Sequence, residues 1–150
     1  MFITADQIHD GNHWLPAGTI LEINGSGTII ALHNEPKEGT TRYDGILCPG
    51  FVNVHCHMEL SHMKGLIPES TGLIPFLKHI PLHRNDFTDE QKNTARHDAC
   101  NEMAANGIVA VGDIANTTDT LDVRALDKLH IHTFVESIGF TEEKAGMMMG

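Results

Sequence analysis

The chain reads as an α/β protein. Three short apolar, β-branched runs at 51–57, 108–111 and 131–136 recur with helical patterns between them, giving the order β-α-β-α-β. Strands that are apolar on both faces and joined by helices are expected to pair in parallel, with right-handed crossovers. A further observation sets residues 1–48 apart, because there short strand-like runs follow one another with tight turns and no helical spacing.

Composition narrows the class. With 150 residues, of which 41% are hydrophobic, the chain can bury a sizeable core and supports one ordinary globular domain. Ten basic against 20 acidic residues give a net charge of −10, and no basic cluster is interleaved with aromatics, which argues against a nucleic-acid partner. The opening residues lack a basic, then apolar, leader pattern, and no apolar run approaches about 18 residues, so a cytoplasmic protein without a membrane partner is expected. Cys48, Cys56 and Cys100 lack Cys-x-x-Cys spacing and indicate neither a disulfide framework nor a zinc knuckle.

In the first segment, Gly11-Asn12 separates a strand over 2–9 from one over 19–23, and Asn24-Gly25-Ser26-Gly27 leads into a hairpin partner over 28–32. His9, His13 and His33 fit solvated strand and turn positions, since none has metal-ligand spacing. Pro49-Gly50 then introduces the strand 51–57. Alternate side chains of a strand share a face, so His55 and His57 should project together, while Cys56, with the parity of Val52 and Val54, should face the other way as a small buried hydrophobe. Two imidazoles on one face make half of a metal site. A bare His-x-His can equally be a polar strand tip, but here it ends an apolar strand and a polar loop closed by Gly65 follows at once.

The stretch 61–87 is long for a connection and is interrupted by Pro68, Gly72, Pro75 and Pro81, which suggests a lid with a helical turn. His79 and His83 stand at i, i+4, but Pro81 lies between them, and they read as surface histidines of that lid. Thr88-Asp89-Glu90-Gln91 is a capping box opening a helix that Asn106-Gly107 stops. Ala95, Ala99 and Met103 mark the stripe expected to pack on the sheet. After the strand 108–111, which runs into Gly112-Asp113, Thr118 is expected to cap a helix over 119–129. The strand 131–136 follows, and Thr141 is expected to open a third helix carrying Met147, Met148 and Met149.

The run Pro49-Gly50-Phe51-Val52-Asn53-Val54-His55-Cys56-His57, with Lys64-Gly65 closing an eleven-residue stretch from His55, resembles the first strand of the amidohydrolase superfamily. It is most similar to the aminohydrolase and chlorohydrolase branch, which includes cytosine, guanine and adenosine-type deaminases. Many members carry arginine where this chain has Lys64, and the segment Glu59-Leu60-Ser61-His62 varies among subgroups.

The resemblance implies the N-terminal part of a (β/α)8 TIM-like barrel over 49–150, with about three βα units, preceded by half of a small β-sandwich over 1–48. A complete barrel needs roughly 250 residues and eight strands. The chain is therefore expected to be the N-terminal portion of a longer hydrolase, inactive alone, with Val109, Val111 and Phe134 facing water. A self-standing α/β domain completed by oligomerisation is the alternative, and a homo-oligomer is open in either case.

The implied reaction is hydrolytic deamination of a nucleobase-like or other heterocyclic amine by a metal-bound hydroxide. His55 and His57 would hold a divalent ion, zinc first and iron as the alternative, and the remaining ligands and catalytic proton-transfer residues would lie beyond Gly150. Chemistry in barrels gathers at the C-terminal ends of the strands, where His55, His57, Asp113, Glu136 and Ser137 fall. Glu59 and His62 are candidates for substrate contact or for anchoring the lid. Lys64 is a candidate for a rim contact or an anionic group, or is simply solvated. Asp113 and Glu136 are candidates for substrate contact or for hydrogen bonding at the rim. Hydrolysis of a cyclic amide or a carbon-halogen bond would use the same scaffold, and a non-catalytic binding or assembly module is the reading from another class.

Overall fold

The computed structural model describes residues 1–137, so the helix expected from Thr141 and the run Met147, Met148, Met149 lie outside the described residues. The chain divides into two compact units, Met1–Pro49 and Gly50–Gly150.

The first unit is a sheet of β1 (Phe2–Ile8), β2 (Ile20–Ile23), β3 (Ile29–His33) and β4 (Thr40–Leu47), in the order β3-β2-β1-β4. The β2–β3 hairpin forms where Asn24-Gly25-Ser26-Gly27 requires it. The Asn24 Oδ1 accepts the N–H groups of Ser26 and Thr28 at 3.0 and 2.9 Å, and Gly27 takes φ +82°, a conformation that glycine adopts without a Cβ penalty. The fourth strand runs parallel to β1, a pairing that the turn pattern did not reveal. Its register slips between Ala5 and Gln7, and Asp6 bridges the irregularity by accepting the Gly45 N–H at 2.8 Å and pairing with Arg42. Ile3, Ala5, Ile8 and Leu21 form the core.

The second unit contains β5 (Phe51–Cys56), a 3-10 helix (Met58–Met63), α1 (Leu73–His83), α2 (Asp89–Ala105), β6 (Ile108–Ala115), α3 (Leu121–Arg124) and β7 (His130–Val135). The strands pair in the order β5-β6-β7, all parallel, so this unit is α/β as expected. The capping box is present in both directions. Thr88 Oγ1 accepts the Gln91 N–H at 3.2 Å and Gln91 Oε1 accepts the Thr88 N–H at 2.9 Å, which satisfies two of the donors a helix start leaves free. Gly107, at φ +80°, turns the chain out of α2 and into β6.

Side chains alternate along β6. Val111, Asp113 and Ala115 are buried, and Val111 joins Met58, Cys100, Val123, Leu129 and Ile131 in one cluster. Val111 is thus not on the open face, contrary to expectation, because it has the parity that faces the helices. Val109 and Phe134 are on the exposed side, at 51% and 52%.

Three helical expectations are corrected. The lid holds an eleven-residue helix, α1, rather than a single turn, and Pro81 sits inside it. The stripe of α2 that reaches the core is Arg96 and Cys100 with Met103 and Ala104, whereas Ala95 and Ala99 line a shallow cleft shared with Ser61, His62 and Lys64. The close approach that small residues permit therefore serves the 3-10 helix and not the sheet. Finally, α3 spans only Leu121–Arg124 and has no side-chain cap, and the chain leaves helical geometry by Asp127, at φ +52°. Among the described residues no helix is long and apolar enough to cross a membrane.

Candidate metal centre

The site begins with a break in strand alternation. β5 and β6 are in register at Asn53 with Val111 and at Cys56 with Asp113, so three steps along β5 oppose two along β6 and one residue of β5 is extra. The bulge lies at Val54 and His55. It places Cys56 on the buried side, where it packs against the core cluster, while Val52 and Val54 are 58% and 77% exposed. Cys56 therefore does not share a face with the two valines, as simple alternation required. His55 and His57 stay together, as alternation requires, and the bulge decides the side they take, opposite to Cys56. Their ring centroids are 5.3 Å apart and the planes are tilted by 58°.

Gly112 accommodates this bulge. A Cβ built on it would stand 2.6 Å from the Val54 carbonyl oxygen and 3.4 Å from the Phe134 ring, so the two neighbouring strands close over a position that no side chain could occupy unmoved.

Other contacts hold the pair from behind. Asn53 Oδ1 accepts the His55 N–H at 3.3 Å, and Asn53 Nδ2 reaches Met103 Sδ of α2 at 3.8 Å. After His57 the chain turns at once into the 3-10 helix. The Met58 N–H donates to Asp113 Oδ1 at 3.0 Å and the Leu60 N–H to the His57 carbonyl at 3.0 Å. Asp113 is wholly buried, so its carboxylate orients the residue next to His57 rather than lining the open face.

The donor set fits a divalent ion of the zinc class. Neutral imidazoles are good ligands for such ions, and His57 Nδ1 is buried without a hydrogen-bond partner among the described residues. Among those residues no three His, Cys, Asp or Glu side chains come together as a metal-holding group. Burial, and secondarily the charge of Asp113, push the Cys56 thiol up from its ordinary value. It packs against the core cluster, on the side away from the histidine pair, and is not one of the pair's neighbouring donors.

Glu59 is buried, with Oε2 accepting the Asn116 N–H at 3.1 Å and the Thr117 hydroxyl at 3.0 Å and Oε1 lying 3.6 Å from the Arg84 guanidinium. That is the geometry of an anchor between the segment after β5, the segment after β6 and the end of α1. His62 Nε2 donates to the Arg84 carbonyl at 3.0 Å and its ring meets Phe87 edge-on at 4.9 Å. Burial, as the leading cause, lowers the His62 pKa. Lys64 pairs with Glu102 of α2 at 2.7 Å, both well exposed. Glu136 is half-buried just past β7, its N–H donating to the Ala115 carbonyl at 2.9 Å, and Ser137 is exposed beside it.

Sequence reasoning assigned nothing to three residues that the structure brings into play. Arg84 and Asn116 belong to the Glu59 anchor, with a 3.1 Å hydrogen bond between them, and no local pattern marks such a pair. His132 lies opposite Gly112 in register and packs on Phe134 at 4.7 Å, on the same open side. Its i, i+2 relation to Phe134 was the available signal.

No family model matches the chain. Aminodeoxyfutalosine deaminase of a Nitratiruptor species is 27% identical over 105 residues, covering 70% of this chain and 26% of that protein. Helicobacter pylori aminofutalosine deaminase, solved with methylthio-coformycin, superposes with a TM-score of 0.72 at 17% identity over 99% of this chain and 38% of its own. An amidohydrolase from Brucella melitensis gives 0.65 at 18% identity, covering 96% and 38%. Atrazine chlorohydrolase from Arthrobacter aurescens, complexed with zinc, gives 0.64 at 18%, covering 92% and 36%. The chain thus spans between about a quarter and two fifths of the length of these proteins. The structural neighbours are amidohydrolase-superfamily deaminases and chlorohydrolases, as the run from Pro49 to His57 suggested, and the shared fraction is consistent with an N-terminal portion.

Proposed function

We propose that this chain is the N-terminal portion of a metal-dependent hydrolase that removes the amino group of a nucleobase-like or other heterocyclic amine. In this reading β5, β6 and β7 are the first strands of a (β/α)8 barrel and the first unit is half of a β-sandwich. The observation that carries it is the end of β5, where His55 and His57 stand together on the open side of a parallel sheet and the buried His57 Nδ1 has no partner among the described residues.

His55 and His57 would hold the ion, zinc first and iron as the alternative. When bound, such an ion supplies a water acidic enough to act as nucleophile near neutral pH, its pKa lowered to about 7. The chain's own residues do the positioning. Asp113 fixes the turn after His57, Gly112 lets the bulge close, and the Glu59 anchor joins the lid's end to the loop after β6. His132, within β7, and Glu136, just past its end, are candidates to meet the substrate. The reaction consumes water and the amine and yields the carbonyl compound and ammonia. The remaining ligands and proton carriers are expected beyond Gly150.

The test is an ammonia-release screen over heterocyclic amines, run on the complete natural protein with measured metal content. Ammonia released by wild type, and lost in His55→Ala and His57→Ala, supports the proposal. Metal without ammonia from any amine would favour cyclic amides or carbon-halogen bonds, for which the chlorohydrolase neighbour is the reason. Absence of metal from active protein would overturn it.

A further inference from the structure

A second pair of histidines stands on the lid. His79 and His83 lie one turn apart on α1, and their rings stack with centroids 5.9 Å apart and planes within 17°. Pro81 between them argued against joint use while the segment read as loop, but α1 runs without interruption from Leu73 to His83. Residues four apart on a helix face each other, and that is the spacing with which two imidazoles can share one ion.

The second observation concerns orientation. Asp86 Oδ2 lies 2.9 Å from His83 Nδ1, so the carboxylate holds the proton on Nδ1 and leaves the Nε2 lone pair available. This is the carboxylate–histidine arrangement that orients metal ligands. No residue of α1 is fully buried, and the two histidines are half-buried, so both rings keep part of their surface in water. The helix also lacks the hydrogen bond that the Pro81 nitrogen cannot donate, and at eleven residues it is short enough to be marginal without tertiary support.

We propose that His79 and His83 form a second metal site, a two-imidazole chelate oriented by Asp86 that takes a divalent transition ion such as zinc, nickel or copper and thereby stiffens the lid helix. Imidazole suits these ions. Binding energy that exists only when both rings stand one turn apart becomes stability of α1 by linkage. The site is independent of His55 and His57, and its identification does not rest on the hydrolase reading.

The test titrates zinc alone into the metal-depleted protein by calorimetry and follows protease cleavage within 73–83. In the His55→Ala/His57→Ala background, one zinc should still bind and should slow cleavage of α1. In His79→Ala/His83→Ala, that binding should weaken at least about tenfold and the protection should vanish, while Asp86→Asn should weaken binding by about 10- to 100-fold without unfolding the protein. Binding and protection that survive His79→Ala/His83→Ala, or that disappear with His55→Ala/His57→Ala instead, would overturn the proposal.

Discussion

Asp113 carries no exposed surface and spends one oxygen on the Met58 N–H, directly after the second histidine of the pair. Asp113→Ala would leave that buried N–H unsatisfied, at a cost of about 1 to 3 kcal/mol, whereas Asp113→Asn retains an acceptor and should stay within about 1 kcal/mol of wild type. Denaturant midpoints of the three proteins measure this, and equal losses in both variants would contradict the hydrogen-bonding role. His62 gives a pH signature. Its folded pKa is depressed below the ordinary 6.5, chiefly by burial, so the unfolded chain takes up the proton first. Stability from keeping His62 neutral is therefore present above about pH 6.5 and lost as pH falls from there toward the folded value. His62→Gln should lose less stability than wild type as the pH is lowered from well above that value to well below it; an equal loss would assign the acid sensitivity to other groups.

Between elements, the Glu59 carboxylate is the joint on which three segments meet: the 3-10 helix, the residues after β6 and the end of α1. Removing it strands the partly buried Arg84 along with the Asn116 N–H. Glu59→Ala should cost about 3 kcal/mol, the low end for breaking a buried pair because the Arg84 side chain keeps 27% of its surface in water. Hydrogen exchange should accelerate around residues 84–87 and 116–117 before it does in α2. Uniform acceleration would mean that Glu59 acts on global stability alone. Local signals made some elements legible, notably the Thr88 capping box and the Asn24 turn, because each is closed by atoms within a few residues. They failed where distant partners decide. The extent of α1 depends on a proline tolerated inside a helix, α3 is cut short despite its periodic sequence, and the parallel pairing of β4 with β1 joins strands far apart in the chain.

At the scale of the molecule, the parallel strands cover one face with helices and leave Val52, Val54, Val109 and Phe134 on the other. Such a sheet has open edges and an apolar side, which further strands of a barrel would cover. The His-x-His pairing was readable because it ends an apolar strand. Alternation also gave the shared side of the two rings, but not which side that is, since β5 alone gives no sign of a bulge that exists only in its register with β6. The proposed hydrolase requires that His55 and His57 hold metal when the chain is complete. The most direct measurement is the metal content of the complete natural protein after exhaustive dialysis, beside its His55→Ala/His57→Ala form, with circular dichroism to check folding. Tightly held zinc or iron is expected in the wild type, and none held as tightly in the double variant at an unchanged fold. Equal metal in both proteins, or a metal-free wild type that still turns over substrate, would contradict the proposed metal centre.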